Sequence, residues 1–253
     1  MKRVCVIGNS HAGSLRLAAQ KYWSNPNFAF AFYAIPGRMQ PQLSREASGR
    51  LKAVKPQALR TDMEDAVANG LDVSRFDAVL ISAIGLPNLL EPYHNLPHPL
   101  AAARCLDWPE LDAGGRMPVS EAVMQETIAS GLRRLHAYAS LSPILEAFSG
   151  RVLVQPKPRP AQAMFSTVSS ELFRAYGDKA PQVYTQVSIM QDNALAEIIE
   201  TLSPRLHLLP HPEIEGGTSY SVPDSFNVTA DDVWHKGGLY GLEVLNLAAA
   251  ELQ

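Results

Sequence analysis

Three residues into the chain begins an apolar, partly β-branched run, Val4-Cys5-Val6-Ile7, which meets the turn Gly8-Asn9-Ser10-His11-Ala12-Gly13. Residues with helical spacing follow at Leu15, Leu17, Ala18, Ala19 and Tyr22. That order is strand, tight turn, helix, with a serine at the junction. A side chain there lies at the carboxyl end of a strand, where open α/β sheets place their ligands. It also lies at a helix N-terminus, whose free N–H groups and dipole favour negative charge.

Three chemistries use such a turn. A dinucleotide fingerprint needs G-x-G-x-x-G, and Ser10 replaces its middle glycine. The elbow G-x-S-x-G of α/β-hydrolases comes near Gly8-Asn9-Ser10-His11-Ala12 but follows several earlier strands, whereas seven residues precede Gly8. The third is a nucleophilic serine on the first strand, which needs a histidine and a carboxylate from elsewhere. The plain alternative is that Ser10 caps the helix.

The rest of the chain repeats the pattern. Strands are expected over 28–35, 76–84, 151–154 and 206–209. Helices are expected near 63–68, closed by Asn69-Gly70, and after Ser120, with Met124, Ile128, Leu132, Leu135 and Tyr138 on one face. A further helix is read as capped by Asp192, with Leu195, Ile198, Ile199 and Leu202. The last carries Leu239, Leu242, Leu245 and Leu252. Strands alternating with helices imply a mostly parallel sheet covered on both sides. The stretch 40–70 is weakly periodic. Residues 89–118 read as a loop-rich insertion, either a binding loop or a surface excursion.

Composition narrows the partners. The 253 residues are 46% hydrophobic and 19% charged with a net charge of −3, so a full core is available, one domain spanning 1–253 is expected, and a basic nucleic-acid footprint is lacking. No run is long enough to span a bilayer, and Met1-Lys2-Arg3 leads into a strand rather than a signal-peptide core. A soluble, cytoplasmic protein is expected, without nucleic-acid or membrane partners. Cys5 and Cys105 have no metal or redox spacing, and His94, His98, His207 and His211 lack a paired ligand pattern, so no metal or cofactor is assigned.

Ser10 near the start and Asp232-x-x-His235 near the end, on a five-strand α/β pattern, resemble the SGNH hydrolases, the GDSL family. The resemblance spans nearly the whole chain and implies a flavodoxin-like three-layer α/β/α sandwich with a mostly parallel five-stranded sheet. It implies Ser10 as nucleophile, His235 as base and Asp232 as its orienting carboxylate. Ser10, Gly37 and Asn88 would form the oxyanion hole. Asn9 stands where the family more usually has aspartate, and Gly85-Leu86-Pro87-Asn88 is one residue longer than the family's Gly-x-Asn. His11 and Trp234 are candidate substrate contacts. Asp231 and Asp224 are rival partners for His235, and Asp232 could instead cap the last helix. Lys157 and Arg159 lie at the mouth of the fourth strand, where they could meet an anionic or sugar substrate or belong to a solvated proline-rich loop.

The expected activity is hydrolysis of a small acyl ester, an acetyl group on a carbohydrate following family tendency. Acyl transfer on the same triad, or carbohydrate or nucleotide binding with weak catalysis on the same fold, are the alternatives.

Overall fold

The structure, a computed structural model, describes residues 1–34, 42–54, 59–85, 103–105, 117–167, 177–218, 221–229, 232 and 235–253. Its strands are β1 (Lys2–Gly8), β2 (Phe28–Ala34), β3 (Leu43–Arg45), β4 (Leu51–Ala53), β5 (Arg60–Thr61), β6 (Ala78–Ile84), β7 (Ala103–Cys105), β8 (Met117–Val119), β9 (Arg151–Pro156) and β10 (Leu206–Leu208). Its helices are α1 (Ala12–Lys21), α2 (Glu64–Asn69), α3 (Glu121–Arg133), α4 (His136–Ala139), α5 (Leu141–Ala147), α6 (Met164–Thr167), α7 (Ala180–Leu202) and α8 (Gly238–Glu251).

The central sheet has the order β10–β9–β6–β1–β2–β5. Its first five strands pair in parallel, as the alternating pattern requires. Counting those five along the chain gives the order 2-1-3-4-5 of a flavodoxin-like sheet. The sixth, β5, is an antiparallel edge strand that the five-strand expectation lacks. Its two residues are too few to carry a period.

Alternation along the strands sends side chains to two cores. Val4, Val6, Leu80 and Leu153 pack with Leu15 and Ala18 of α1 and Val244, Leu245 and Ala248 of α8. Cys5, Ile7, Val79, Ile81, Val152 and Val154 face Ile128 of α3, Ile144 of α5 and Leu195 of α7. The result is a three-layer α/β/α sandwich. Burying each such side chain is worth about 1.5–3 kcal/mol, so the two cores hold the sheet from both sides.

Several expectations need correcting. Asp192 caps nothing: α7 begins twelve residues earlier, at Ala180, with Pro181 in its first turn. Proline has a fixed φ suited to that position and no N–H to leave unpaired. On α8 the buried face is Tyr240, Gly241, Val244, Leu245, Ala248 and Ala249, and Leu239 is exposed. Gly241 sets that face. A Cβ there would lie 2.2 Å from the Ser14 carbonyl oxygen, so only glycine lets α8 lie this close to α1. Within the expected insertion, β7 and β8 form a short parallel ladder. Residues 43–53 supply the β3–β4 hairpin in the weakly periodic stretch.

Candidate active site

Ser10 and the imidazole of His235 come from opposite ends of the sequence. They meet because β1, the centre of the sheet, leads into α1, and α1 packs on α8. The parallel order reverses direction at β1, with β2 on one side and β6 on the other. The crevice beyond the carboxyl ends of β1 and β6 is therefore the switch point where such sheets bind ligands.

Local bonds shape the Ser10 turn. The Asn9 side-chain oxygen accepts from the His11 N–H at 2.9 Å. The Asn9 carbonyl accepts from the Ala12 N–H at 3.0 Å, and the Ser10 carbonyl from the Gly13 N–H at 3.1 Å. An asparagine thus makes the turn bond expected of it. A Cβ on Gly8 would meet those of Ser82 and Ala12 at 2.9 and 3.0 Å, so this glycine serves strand–helix packing rather than approach to a phosphate. Among the described residues, the Ser10 N–H has no acceptor. Ser10 does not cap α1 with its side chain: His11 occupies the N-cap position, with no side-chain cap bond.

The Ser10 hydroxyl instead faces His235, with Oγ 3.1 Å from Nε2. The other ring nitrogen, Nδ1, lies 2.8 Å from Asp232 Oδ2, and Oδ1 of the same carboxylate accepts the His235 backbone N–H at 2.9 Å. With the carboxylate ionised, Nδ1 carries the proton and Nε2 presents its lone pair to Ser10. Asp232 is therefore not a helix cap, and α8 takes Gly237 at that position. The loop carrying His235 is held from a distance. Val228 N–H donates to the His235 carbonyl at 3.1 Å, Gly237 N–H to that of Phe226 at 2.6 Å, and Lys236 Nζ to Asn227 Oδ1 at 2.8 Å.

The rival Asp224 is engaged elsewhere, accepting from the Ala163 N–H at 2.8 Å. Asp231, Gly37, Asn88, Trp234, His94 and His98 lie outside the described residues. His207 faces Glu251 on the far side of the sheet edge, and His211 faces Asp192. Among the described residues, no group of three or more His, Cys, Asp or Glu side chains is placed to hold a metal ion. Among them, too, no helix is long and apolar enough to cross a membrane.

Three side chains neighbour the site, and Lys236 among them has no signal in the sequence beyond its position. His11 is buried, and its ring stacks on that of His235 with centroids 5.1 Å apart at 29°. Burial, then the charges of Lys157, His235 and Lys236, push its pKa down to about 3, so at neutral pH it is an uncharged plate against the second imidazole. Lys236 is 2% exposed, and burial pulls its pKa down to about 8 against the opposing pull of Asp232 and Asp224. Lys157, beyond β9, is likewise lowered to about 7 by burial. A further feature is backbone strain: Ala83 has φ 63° where the β6–β9 register shifts, which re-aims the end of β6 beside the crevice.

No protein-family model matches the chain, and no curated protein matches it. In structure it is similar to a protein of Agrobacterium tumefaciens str. C58 described as "a putative arylesterase". The two are 15% identical with a TM-score of 0.42, over 100% of this chain and 98% of that one. It is also similar to a DUF4886 family protein from Bacteroides uniformis ATCC 8492, at 11% identity and a TM-score of 0.37, over 98% of this chain and 82% of that one. At these values neither match assigns a chemistry; the site's own geometry has to do so.

Proposed function

We propose that the chain is a serine-dependent hydrolase of small acyl esters, of the SGNH type, with Ser10, His235 and Asp232 as its catalytic triad. The observation that carries this reading is the unbroken contact from hydroxyl to imidazole to carboxylate, 3.1 Å and then 2.8 Å. A serine hydroxyl is a weak nucleophile until a base stands within hydrogen-bond reach. In the proposed reaction His235 Nε2 takes the hydroxyl proton as Ser10 Oγ bonds to the ester carbonyl carbon. The tetrahedral intermediate then collapses, the C–O bond to the alcohol breaks, and His235 returns the proton to the leaving oxygen. Water attacks the acyl-serine with the same histidine as base, releasing the acid and restoring Ser10.

Asp232 holds the tautomer and offsets the imidazolium charge. The unused Ser10 N–H, at a helix start, suits a developing oxyanion. Gly37 and Asn88 are proposed as its companions on the strength of their sequence positions alone. The acyl group is proposed to be small.

A fluorophosphonate probe followed by peptide mapping tests the reading. Labelling of Ser10, together with hydrolysis of p-nitrophenyl acetate that disappears in Ser10→Ala, is expected. Folded protein that neither labels at Ser10 nor turns over any short-chain ester would overturn it.

A further inference from the structure

The turn that carries Asp232 and His235 rests on a short arm of chain, residues 226–229, which leaves the single helical turn Asp224–Phe226. Four bonds between described residues join the two. The Thr229 carbonyl accepts the Asp232 N–H at 3.1 Å, and the Val228 N–H donates to the His235 carbonyl at 3.1 Å. The Phe226 carbonyl accepts the Gly237 N–H at 2.6 Å. Between these last two, Asn227 stands opposite Lys236 in an antiparallel bridge. Side chains directly opposed in such a pair lie close together. Here Lys236 Nζ donates to Asn227 Oδ1 at 2.8 Å.

Three of the four are backbone bonds, and the fourth joins two side chains. Lys236 is buried. Taking an ammonium out of water carries a penalty that an apolar side chain of similar volume escapes. What the charge adds is a directed bond, roughly twice as strong as one between neutral groups. That bond is made one residue from the base, on the arm whose next two residues hold His235 and Asp232. Among the described residues, the groups that face the ammonium are Asp232 and Asp224, which favour its charge, and the imidazoles of His235 and neutral His11. Misplacing a catalytic group by about 1 Å can cost on the order of 10² in rate. Whatever fixes this arm therefore matters to the contact between His235 and Ser10.

We infer that Lys236 is a positioning residue: its ammonium, bonded to Asn227, locks the Asp232–His235 turn against the 226–229 arm and so keeps Nε2 of His235 on Ser10. It touches no reacting atom. Its charge serves rate and works against stability. The part played in rate rests on the hydrolase reading, whereas the clamp rests on the contacts alone.

Lys236→Met tests this, because it keeps a stem of similar length and removes the charge and the donor. At about pH 7 its urea midpoint should not fall, since a buried charge has gone. In the folded protein kcat for p-nitrophenyl acetate should drop about tenfold or more, with KM changed less than about twofold. A side chain that serves stability alone gives the reverse, a lower midpoint with kcat kept. Folded Lys236→Met with unchanged kcat overturns the inference.

Should that variant fail to fold, the pH dependence of the unchanged protein decides. Burial pulls Lys236 down to about 8, whereas an unfolded lysine titrates near about 10.4. Between the two values the native chain gives up a proton that the unfolded one keeps, so this group adds stability as pH rises. Turnover should move the other way, kcat falling about threefold or more from about pH 7 to about 9.5 as the ammonium becomes an amine. A level kcat across that range then overturns the inference.

Proton NMR of the Nδ1–H between His235 and Asp232 reads the clamp without any substrate. Its resonance should broaden or shift in Lys236→Met, or as pH rises through about 8 in the unchanged protein. A resonance that neither change moves overturns the clamp even if esters are hydrolysed. If no ester turns over and Ser10 stays unlabelled, the hydrolase reading fails, and this resonance alone decides what Lys236 holds.

Discussion

Asp232 and Asp192 each hold a histidine, at 2.8 and 3.3 Å, yet the two carboxylates carry different loads. Asp232 gives one oxygen to the His235 ring and the other to the same residue's backbone N–H. The imidazole is clamped, and its far nitrogen meets a hydroxyl at 3.1 Å. Asp192 divides itself between His211 and the Arg159 guanidinium, and among the described residues the far nitrogen of His211 has no hydrogen-bond partner. A histidine–aspartate pair is therefore not by itself a base. In the first arrangement a lone pair is aimed at a reactive proton; in the second one carboxylate ties a guanidinium and an imidazole together.

Breaking the first pair should be felt in rate. His235→Ala or Ser10→Ala is expected to lower turnover of p-nitrophenyl acetate by about 10³–10⁶, since triad members act as a unit. Asp232→Asn, which keeps the shape but not the charge, should cost less, roughly 10²–10⁴ in kcat. Breaking the second should be felt in stability. Asp192→Ala leaves the part-buried Arg159 guanidinium without its counter-ion, and urea unfolding should show a loss of about 1–3 kcal/mol.

Gly241→Ala probes the packing that brings the two ends together. The added methyl meets the Ser14 carbonyl, so about 1–3 kcal/mol should be lost. Ester turnover in the remaining folded protein should fall too, because α1 carries the Ser10 turn.

The smallest effect sharpens the contrast through pH. An unfolded histidine titrates near about 6.5, whereas buried His11 titrates at about 3. Between those values the unfolded chain binds a proton that the native one refuses. Stability is full above the upper value and is lost as pH falls toward the lower one, at up to about 1.4 kcal/mol per pH unit. His11→Asn should flatten that slope in urea titrations between pH 6 and 4, roughly the middle of the window.

How far the residues themselves announce these two clusters differs for a physical reason. Asp232 and His235 are three apart, and a carboxylate can reach a ring across so short a turn. Their pairing, and the strand–serine–helix order at Ser10, are local facts. Arg159, Asp192 and His211 are 33 and 19 positions apart and meet only through the sheet and α7. Nothing local marks them, and Asp192 beside an apolar face mimics a helix start.

The three central strands β1, β6 and β9 are legible because each carries a continuous apolar run buried on both faces. The β5 edge and the β7–β8 ladder have two or three residues per strand, too short to show alternation. Of the leucines read on the last helix, Leu245 and Leu252 are buried and Leu242 packs on the core, while Leu239 is exposed. His11 reads as a substrate contact beside the nucleophile, and its stacking on His235 is not legible because it exists only once Ser10 and His235 have met.

That meeting has a consequence for how the protein comes to be made. The hydroxyl and the imidazole are 225 positions apart. At about 5–20 residues per second, Ser10 is joined to the chain roughly 10–45 s before His235 is. The nascent polypeptide thus carries an inert alcohol through those 225 additions. A message cut short between the two codons yields a fragment with the serine but no proton acceptor to arm it.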